Sequence, residues 1–266
     1  MSDRKWKYVG ASVQGTSHLS SGLPCQDASR WISFETEKDG EVLILAVADG
    51  AGSAVRAADG AKLACDEFLT QVCRYLEGGT IATITKSKSE VWVREIAHAI
   101  DFQAKSCELT SRDFACTFLA AVLGRDYAAC LQIGDGAIVI AEGNDYQPVF
   151  WPQSGEFANT TYFVTDETAL EQLQFTLFEK PIDEIAIFSD GMQMLTLQYS
   201  TKTAHAPFFR PMFARLRQEC SGESEPLTQE LEEFLRSSAI NDRTDDDKTL
   251  VLATRLLSDP TFSLAT

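Results

Sequence analysis

Histidine is scarce in this chain, with three in 266 residues, and none is spaced against a cysteine pair. That excludes the usual ligand patterns of a structural zinc site. The seven cysteines form no Cys-x-x-Cys pair, and several sit inside apolar patterns. They read as reduced thiols packed as small hydrophobes in a cytoplasmic protein. No stretch approaches the roughly 20 apolar residues of a membrane span, and residues 1–7 carry no apolar signal core. Basic charge is also short, with 23 Lys and Arg against 39 Asp and Glu, for a formal charge of −16. This opposes binding to nucleic acid or an anionic membrane, since both need a basic surface. No repeat or long linker divides the chain, so one domain over residues 1–266 is expected.

What is present is a substantial apolar content, 44% of residues, and a recurring pattern. An apolar run from Val42 to Ala48 ends in Asp49, followed by Gly-Ala-Gly-Ser. Such a run is a strand with both faces covered, and its end delivers a carboxylate to a rim. The pattern returns as Ile185 to Phe188 before Ser189-Asp190-Gly191, and more weakly as Ala129 to Ile133 before Gly134-Asp135-Gly136.

The remaining periodicities predict strands over 7–14, 28–35, 115–123, 127–133, 137–142, 173–178 and 249–254, with a β-prone run over 159–165. Asp39-Gly40 predicts a hairpin joining 28–35 to the Asp49 strand. Helical spacing covers 57–76, 90–109, 207–219 and 227–237, while 15–24 reads as a loop rich in breakers. Strands, a pair of helices, strands, helices and a final strand predict an α+β layered domain with mainly antiparallel sheets.

Asp27, Asp49, Asp135, Asp190 and Asp246 all lie at ends of apolar runs. Gathered carboxylates repel and shift toward protonation unless a cation sits among them. Hard ions such as Mg²⁺ or Mn²⁺ prefer such oxygen ligands, and two of them sharing a carboxylate activate water and clamp a phosphoryl group.

In order, Cys25-Gln26-Asp27, Val47-Ala48-Asp49-Gly50-Ala51-Gly52, Ala115-Cys116-Thr117, Ile133-Gly134-Asp135-Gly136, Ser189-Asp190-Gly191 and Asp246-Asp247-Lys248-Thr249 span residues 25–249. This series resembles the metal-dependent serine/threonine phosphatases of type 2C, the PPM family, in a bacterial subgroup. The resemblance implies two antiparallel sheets sandwiched between helix pairs, with a dinuclear Mn²⁺ or Mg²⁺ site at one end. It implies that Asp49 bridges both ions, that the Gly50 carbonyl ligates one, and that Asp190 and Asp246 hold the other. Asp27 matches an acid beside the metals' waters, and Asp135 an acid toward a third ion. It also implies direct attack of water on phosphoserine or phosphothreonine in a protein, phosphorylated by a partner kinase. Residues 144–183 fall where the family carries a variable flap.

The chain departs from that pattern at several positions. Gln26 stands where an acid is frequent, Ala51 where a histidine proton donor is usual, Gly22 where a phosphate-binding arginine is usual, and Met194 where the third-ion acid is usual. The third metal is therefore doubtful. His18 lies in the loop before Asp27 and is the candidate replacement for the lost acid or phosphate ligand, with Arg30 and Arg56 as other nearby cations. Asn159 is a candidate substrate contact. Ser53 and Thr117 read as ordinary turn and sheet residues, with hydrogen-bonding support of the site as the alternative, and Cys116 reads as packing. A second reading keeps the fold but not the reaction: a pseudophosphatase acting as a regulatory binding protein.

Overall fold

The computed structural model describes residues 5–154 and 161–257. In chain order the strands are β1 (Lys7–Val13), β2 (Ala28–Thr36), β3 (Gly40–Ala48), β4 (Phe118–Leu123), β5 (Ala128–Ile133), β6 (Ala137–Glu142), β7 (Asp145–Pro148), β8 (Gln174–Phe178), β9 (Glu184–Phe188), β10 (Leu197–Gln198), β11 (Thr203–Ala204), β12 (Gly222–Glu223) and β13 (Lys248–Thr254). The helices are α1 (Thr16–Ser21), α2 (Ala57–Leu76), α3 (Lys86–Ser106), α4 (Ala169–Gln172), α5 (Gln193–Thr196), α6 (Ala206–Leu216), α7 (Glu225–Arg236) and α8 (Ser238–Asn241).

One sheet runs β12-β1-β13-β9-β6-β7 and the other β2-β3-β4-β5-β8, with β10-β11 a small hairpin apart. Pairing is antiparallel except where β12 runs parallel beside β1. The alternation of β3 explains the layering, because successive side chains of a strand point to opposite faces. Val42, Ile44, Ala46 and Ala48 pack with Phe68 and Val72 of α2 and Trp92 and Ile96 of α3. Leu43, Leu45 and Val47 face the second sheet, meeting Ile185, Ile187 and Val251. Beyond that sheet, Phe209 and Phe213 of α6 and Leu231 and Leu235 of α7 cover Phe188, Leu250 and Leu252. The result is the expected helix–sheet–sheet–helix sandwich.

The differences from the sequence reading are local. Residues 16–21 form a helix inside the expected loop, closed by Gly22 at φ 70°, a left-handed turn that glycine enters without Cβ strain. Helix α3 begins at Lys86 because Thr85 caps it, accepting the Lys88 N–H at 3.2 Å. Residues 161–165 of the β-prone run form no strand. Phe163 N–H instead bonds the Asp166 carboxylate at 2.8 Å, a local turn that competes with sheet pairing.

Candidate metal centre

Strand register brings the acids to one end of the sandwich. Ala28 pairs with Ala48, so Asp27 and Asp49, the next residues outward, emerge side by side. Phe188 pairs with both Leu250 and Ala137, which sets the segments carrying Asp190, Asp246 and Asp135 along the neighbouring rim. Asp27 forms the floor, 4% exposed. Asp49, Asp135 and Asp190 are half-buried and Asp246 is at the open edge.

Their electrostatics are those of a crowded anionic site. Loss of hydration, then Asp27, Asp190 and Asp246, hold the Asp49 carboxyl well above the usual carboxylate range. Asp190 is also within hydrogen-bonding reach of it. Asp27 is pushed up to about 7 by burial, against the lowering effect of Ser189 and Thr249. Asp135 is pushed up to about 7 by burial and then by Asp190. Burial and Asp190 also raise Asp246. Among the described residues, the buried Oδ1 atoms of Asp27 and Asp190 receive no N–H or O–H donor.

Hard-cation chemistry fits this donor set, since the Oδ1 atoms of Asp27 and Asp190 keep lone pairs that no protein donor satisfies. Among the described residues, no three His, Cys, Asp or Glu side chains close around a common point as a finished metal cage would. The acids are grouped closely enough that Asp27, Asp190 and Asp246 each raise the Asp49 carboxyl.

Supporting contacts hold each acid. Asp49 N–H donates to Thr117 Oγ1 at 3.0 Å, and Thr117 N–H donates back to the Asp49 carbonyl at 2.8 Å. Thr117 is thus a clamp on the Asp49 backbone rather than an ordinary sheet residue. Ser189 Oγ–H donates to Asp27 Oδ2 at 2.7 Å, and Thr249 N–H donates to Ser189 Oγ at 3.0 Å. Lys248 Nζ donates to the Asp246 carbonyl at 3.2 Å. Gly50 is required by close packing, because a Cβ there would lie 2.7 Å from Ala57 Cβ and 2.8 Å from the Gln26 carbonyl oxygen.

The departures also acquire physical roles. Ala51 is buried with Ala54, Ala57 and Ala115, under Phe163, so the position lacking a histidine is an apolar plug. Arg30 pairs with Asp66 at 2.7 Å and Arg56 with Asp59, so neither cation reaches for the acids. His18 sits on α1 with Nδ1 2.8 Å from Asp247 Oδ2, close enough to Asp246 to lower its pKa. Asp247 is 2% exposed and also accepts Gly15 N–H at 2.6 Å and Gln26 N–H at 2.5 Å. Its part was missed in the sequence, although the run Asp245-Asp246-Asp247 contained the signal: more acids than the single Asp246 that the metal pattern needs. Burial pushes the Cys116 thiol up to about 12, which keeps it protonated and supports packing as its role. Ser53 is exposed, and Asn159 lies outside the described residues. A cavity of about 980 Å³ lies at the opposite end of the sandwich, against Glu184 and Arg217, away from the acids.

A two-sheet sandwich with carboxylates gathered at one end is the architecture implied by the resemblance to metal-dependent phosphatases. The model of the family described as Protein phosphatase 2C matches residues 14–236, short of β13 and Asp246. Serine/threonine-protein phosphatase 3 of Escherichia coli (strain K12) is 38% identical over 248 residues, covering 93% of this chain and 98% of that protein. The chain belongs to the protein phosphatase 2C family. Two solved structures share the fold. Serine/threonine phosphatase Stp1 from Staphylococcus aureus has a TM-score of 0.58 at 14% identity, over 93% of this chain and 94% of that one. The catalytic domain of the phosphatase PstP in complex with 2 manganese ions has a TM-score of 0.57 at 15% identity, over 94% of this chain and 98% of that one.

Proposed function

We propose that this protein is a metal-dependent phosphatase that hydrolyses phosphoserine and phosphothreonine in proteins, using two Mn²⁺ or Mg²⁺ ions. The observation that carries this reading is Asp49, surrounded by Asp27, Asp190 and Asp246, with Asp190 within hydrogen-bonding reach. The 38% identity to a serine/threonine-protein phosphatase supports the substrate class, and the manganese ions of PstP support the cofactor.

In this reading Asp49, the Gly50 carbonyl, Asp190 and Asp246 hold the ions. When bound, the ions polarise the phosphoryl group and lower the pKa of water at the site. Asp27, anchored by Ser189 through Oδ2, presents its donor-free Oδ1 to accept a water proton. His18, oriented by Asp247 through Nδ1, donates from its other ring nitrogen to the phosphate or the leaving hydroxyl oxygen. Asp135 stands toward a third position, but Met194 replaces the acid usual there, so two ions suffice. Residues 145–148 and 174–178 of the expected flap are sheet strands, so the substrate contact is assigned to Asn159 and the stretch between β7 and α4, and a partner kinase supplies the phosphorylated protein.

The regulatory pseudophosphatase alternative is not favoured, because the acids needed for two ions are all present and an enzyme is the 38% identical relative. The test is p-nitrophenyl phosphate hydrolysis with and without Mn²⁺. Release stimulated by metal in the wild type, and absent from Asp49→Asn/Asp190→Asn, is expected. Equal release from both proteins would overturn the reading. Faster turnover of nucleotides or sugar phosphates than of phosphopeptides would reassign the substrate class.

A further inference from the structure

The loop that carries Asp135 anchors two segments which the acids themselves do not need. Gly134 N–H donates to Gln153 Oε1 at 2.6 Å, and Gln153 N–H donates to the Gly134 carbonyl at 3.2 Å. This reciprocal pair fixes the stretch that begins at Trp151. On the other side, Gln193 Nε2 donates to the Asp135 carbonyl, and the Tyr199 hydroxyl donates to Gln193 Oε1. The Tyr199 ring then meets the Trp151 ring edge-on, with centroids 5.4 Å apart and planes at 84°. An aromatic corner is thus tied at both ends to the rim of the acid cluster. Tyr199 feels that cluster, since burial and then Asp135 and Asp190 raise its hydroxyl pKa.

The corner is open rather than covered. Met194, which follows Gln193 in α5, is 69% exposed and Tyr199 is 50% exposed. Solvent-facing apolar side chains are unremarkable when scattered. Here a rigid aromatic pair borders one charged site and is tied to it through the hydrogen bonds of Gln153 and Gln193, and the exposed thioether of Met194 follows Gln193 in the chain. Met194 also occupies the position where the family resemblance implies an acid, four residues after Asp190, so an apolar side chain stands there in place of charge.

Resting on the phosphatase reading, we propose that Trp151, Met194 and Tyr199 form a subsite for an apolar side chain next to the phosphorylated residue of the substrate. The occupant is fixed by continuity: a phosphate held at the acids leaves its flanking residues within reach of this corner. A flexible methionine beside a fixed aromatic wall accommodates Leu, Met or Phe and leaves the amide of Asn or Gln without partners.

The experiment compares phosphothreonine peptides that differ only by Leu or Asn, near-isosteric side chains, at each position flanking phosphothreonine. At one flanking position the wild type with Mn²⁺ is expected to show kcat/KM about tenfold higher for Leu. Tyr199→Ala and Met194→Asn are expected to bring that ratio to about twofold or less, while Tyr199→Phe, which keeps the ring, retains it. A wild-type ratio near one at both positions overturns the subsite, as does a ratio unchanged in Tyr199→Ala. The p-nitrophenyl phosphate assay separates the two levels, because that substrate has no flanking residue. If it shows no metal-stimulated release, the phosphatase reading fails. The affinity ratio of the same Leu and Asn peptides, read by fluorescence anisotropy, then decides the subsite by the same criteria.

Discussion

His18 Nδ1 lies 2.8 Å from Oδ2 of the buried Asp247, and the same carboxylate collects the backbone N–H groups of Gly15 and Gln26. One side chain therefore joins the start of β13 to the loop that delivers both His18 and Asp27. Asp247→Ala is expected to cost about 2–4 kcal/mol, because it strands buried donors. Urea unfolding measures this. His18→Ala, on a half-buried short helix, is expected to change stability by under about 1 kcal/mol and to lower kcat/KM on phosphopeptide by about 10–100-fold. A normal kcat/KM in His18→Ala would remove the histidine from the reaction.

Thr117→Val keeps the shape of the side chain and deletes the oxygen that receives Asp49 N–H. The expected cost is about 1–3 kcal/mol for an N–H left without its partner. A fall in kcat accompanies it if the clamp sets the Asp49 position. Thermal unfolding and steady-state kinetics on the same sample check both parts.

Asp49→Asn separates stability from function. In chelator, the neutral amide removes repulsion among Asp27, Asp49, Asp190 and Asp246, so the variant is expected to be about 0.5–2 kcal/mol more stable than the wild type. Added Mn²⁺ is expected to stabilise the wild type much more than the variant, by linkage to binding. Differential scanning fluorimetry across a Mn²⁺ titration reads both effects. A destabilised metal-free variant would argue against a repulsive cluster.

The metal-free protein is expected to lose stability as pH rises from about 4 to 7. Asp27 titrates near 7 in the fold and near 3.9 when unfolded. Across that window the folded state holds the proton that the unfolded state has released, so the Asp27 contribution falls with pH and is lost above about 7. The slope is expected to flatten with Mn²⁺ bound, since cations favour the ionised acids. Urea midpoints at pH 5 and 7.5, with and without metal, measure it, and Asp27→Asn should remove part of the metal-free slope.

Much of the fold is legible because its periodicities are unmixed. The continuous apolar run of β3 has both faces buried, and the alternating sides of α2 and α3 mark the layer they cover. The local misses share one cause. Residues 16–21, the cap at Thr85 and the turn from Phe163 to Asp166 depend on single hydrogen bonds or on one left-handed glycine, which leave little trace in hydrophobic pattern.

The sequence by itself determined which acids stand at strand ends, because an apolar run closing on Asp-Gly both builds a core strand and exposes the residue after it. It also determined that the usual histidine, arginine and third acid are missing. Only the tertiary structure decided what fills those places. Antiparallel register set Asp27 against Asp49, a contact between residues 229 apart placed Asp247 behind His18, and packing turned Ala51 into an apolar plug. Such contacts form between segments distant in the chain, where no local periodicity records which side chain will meet which.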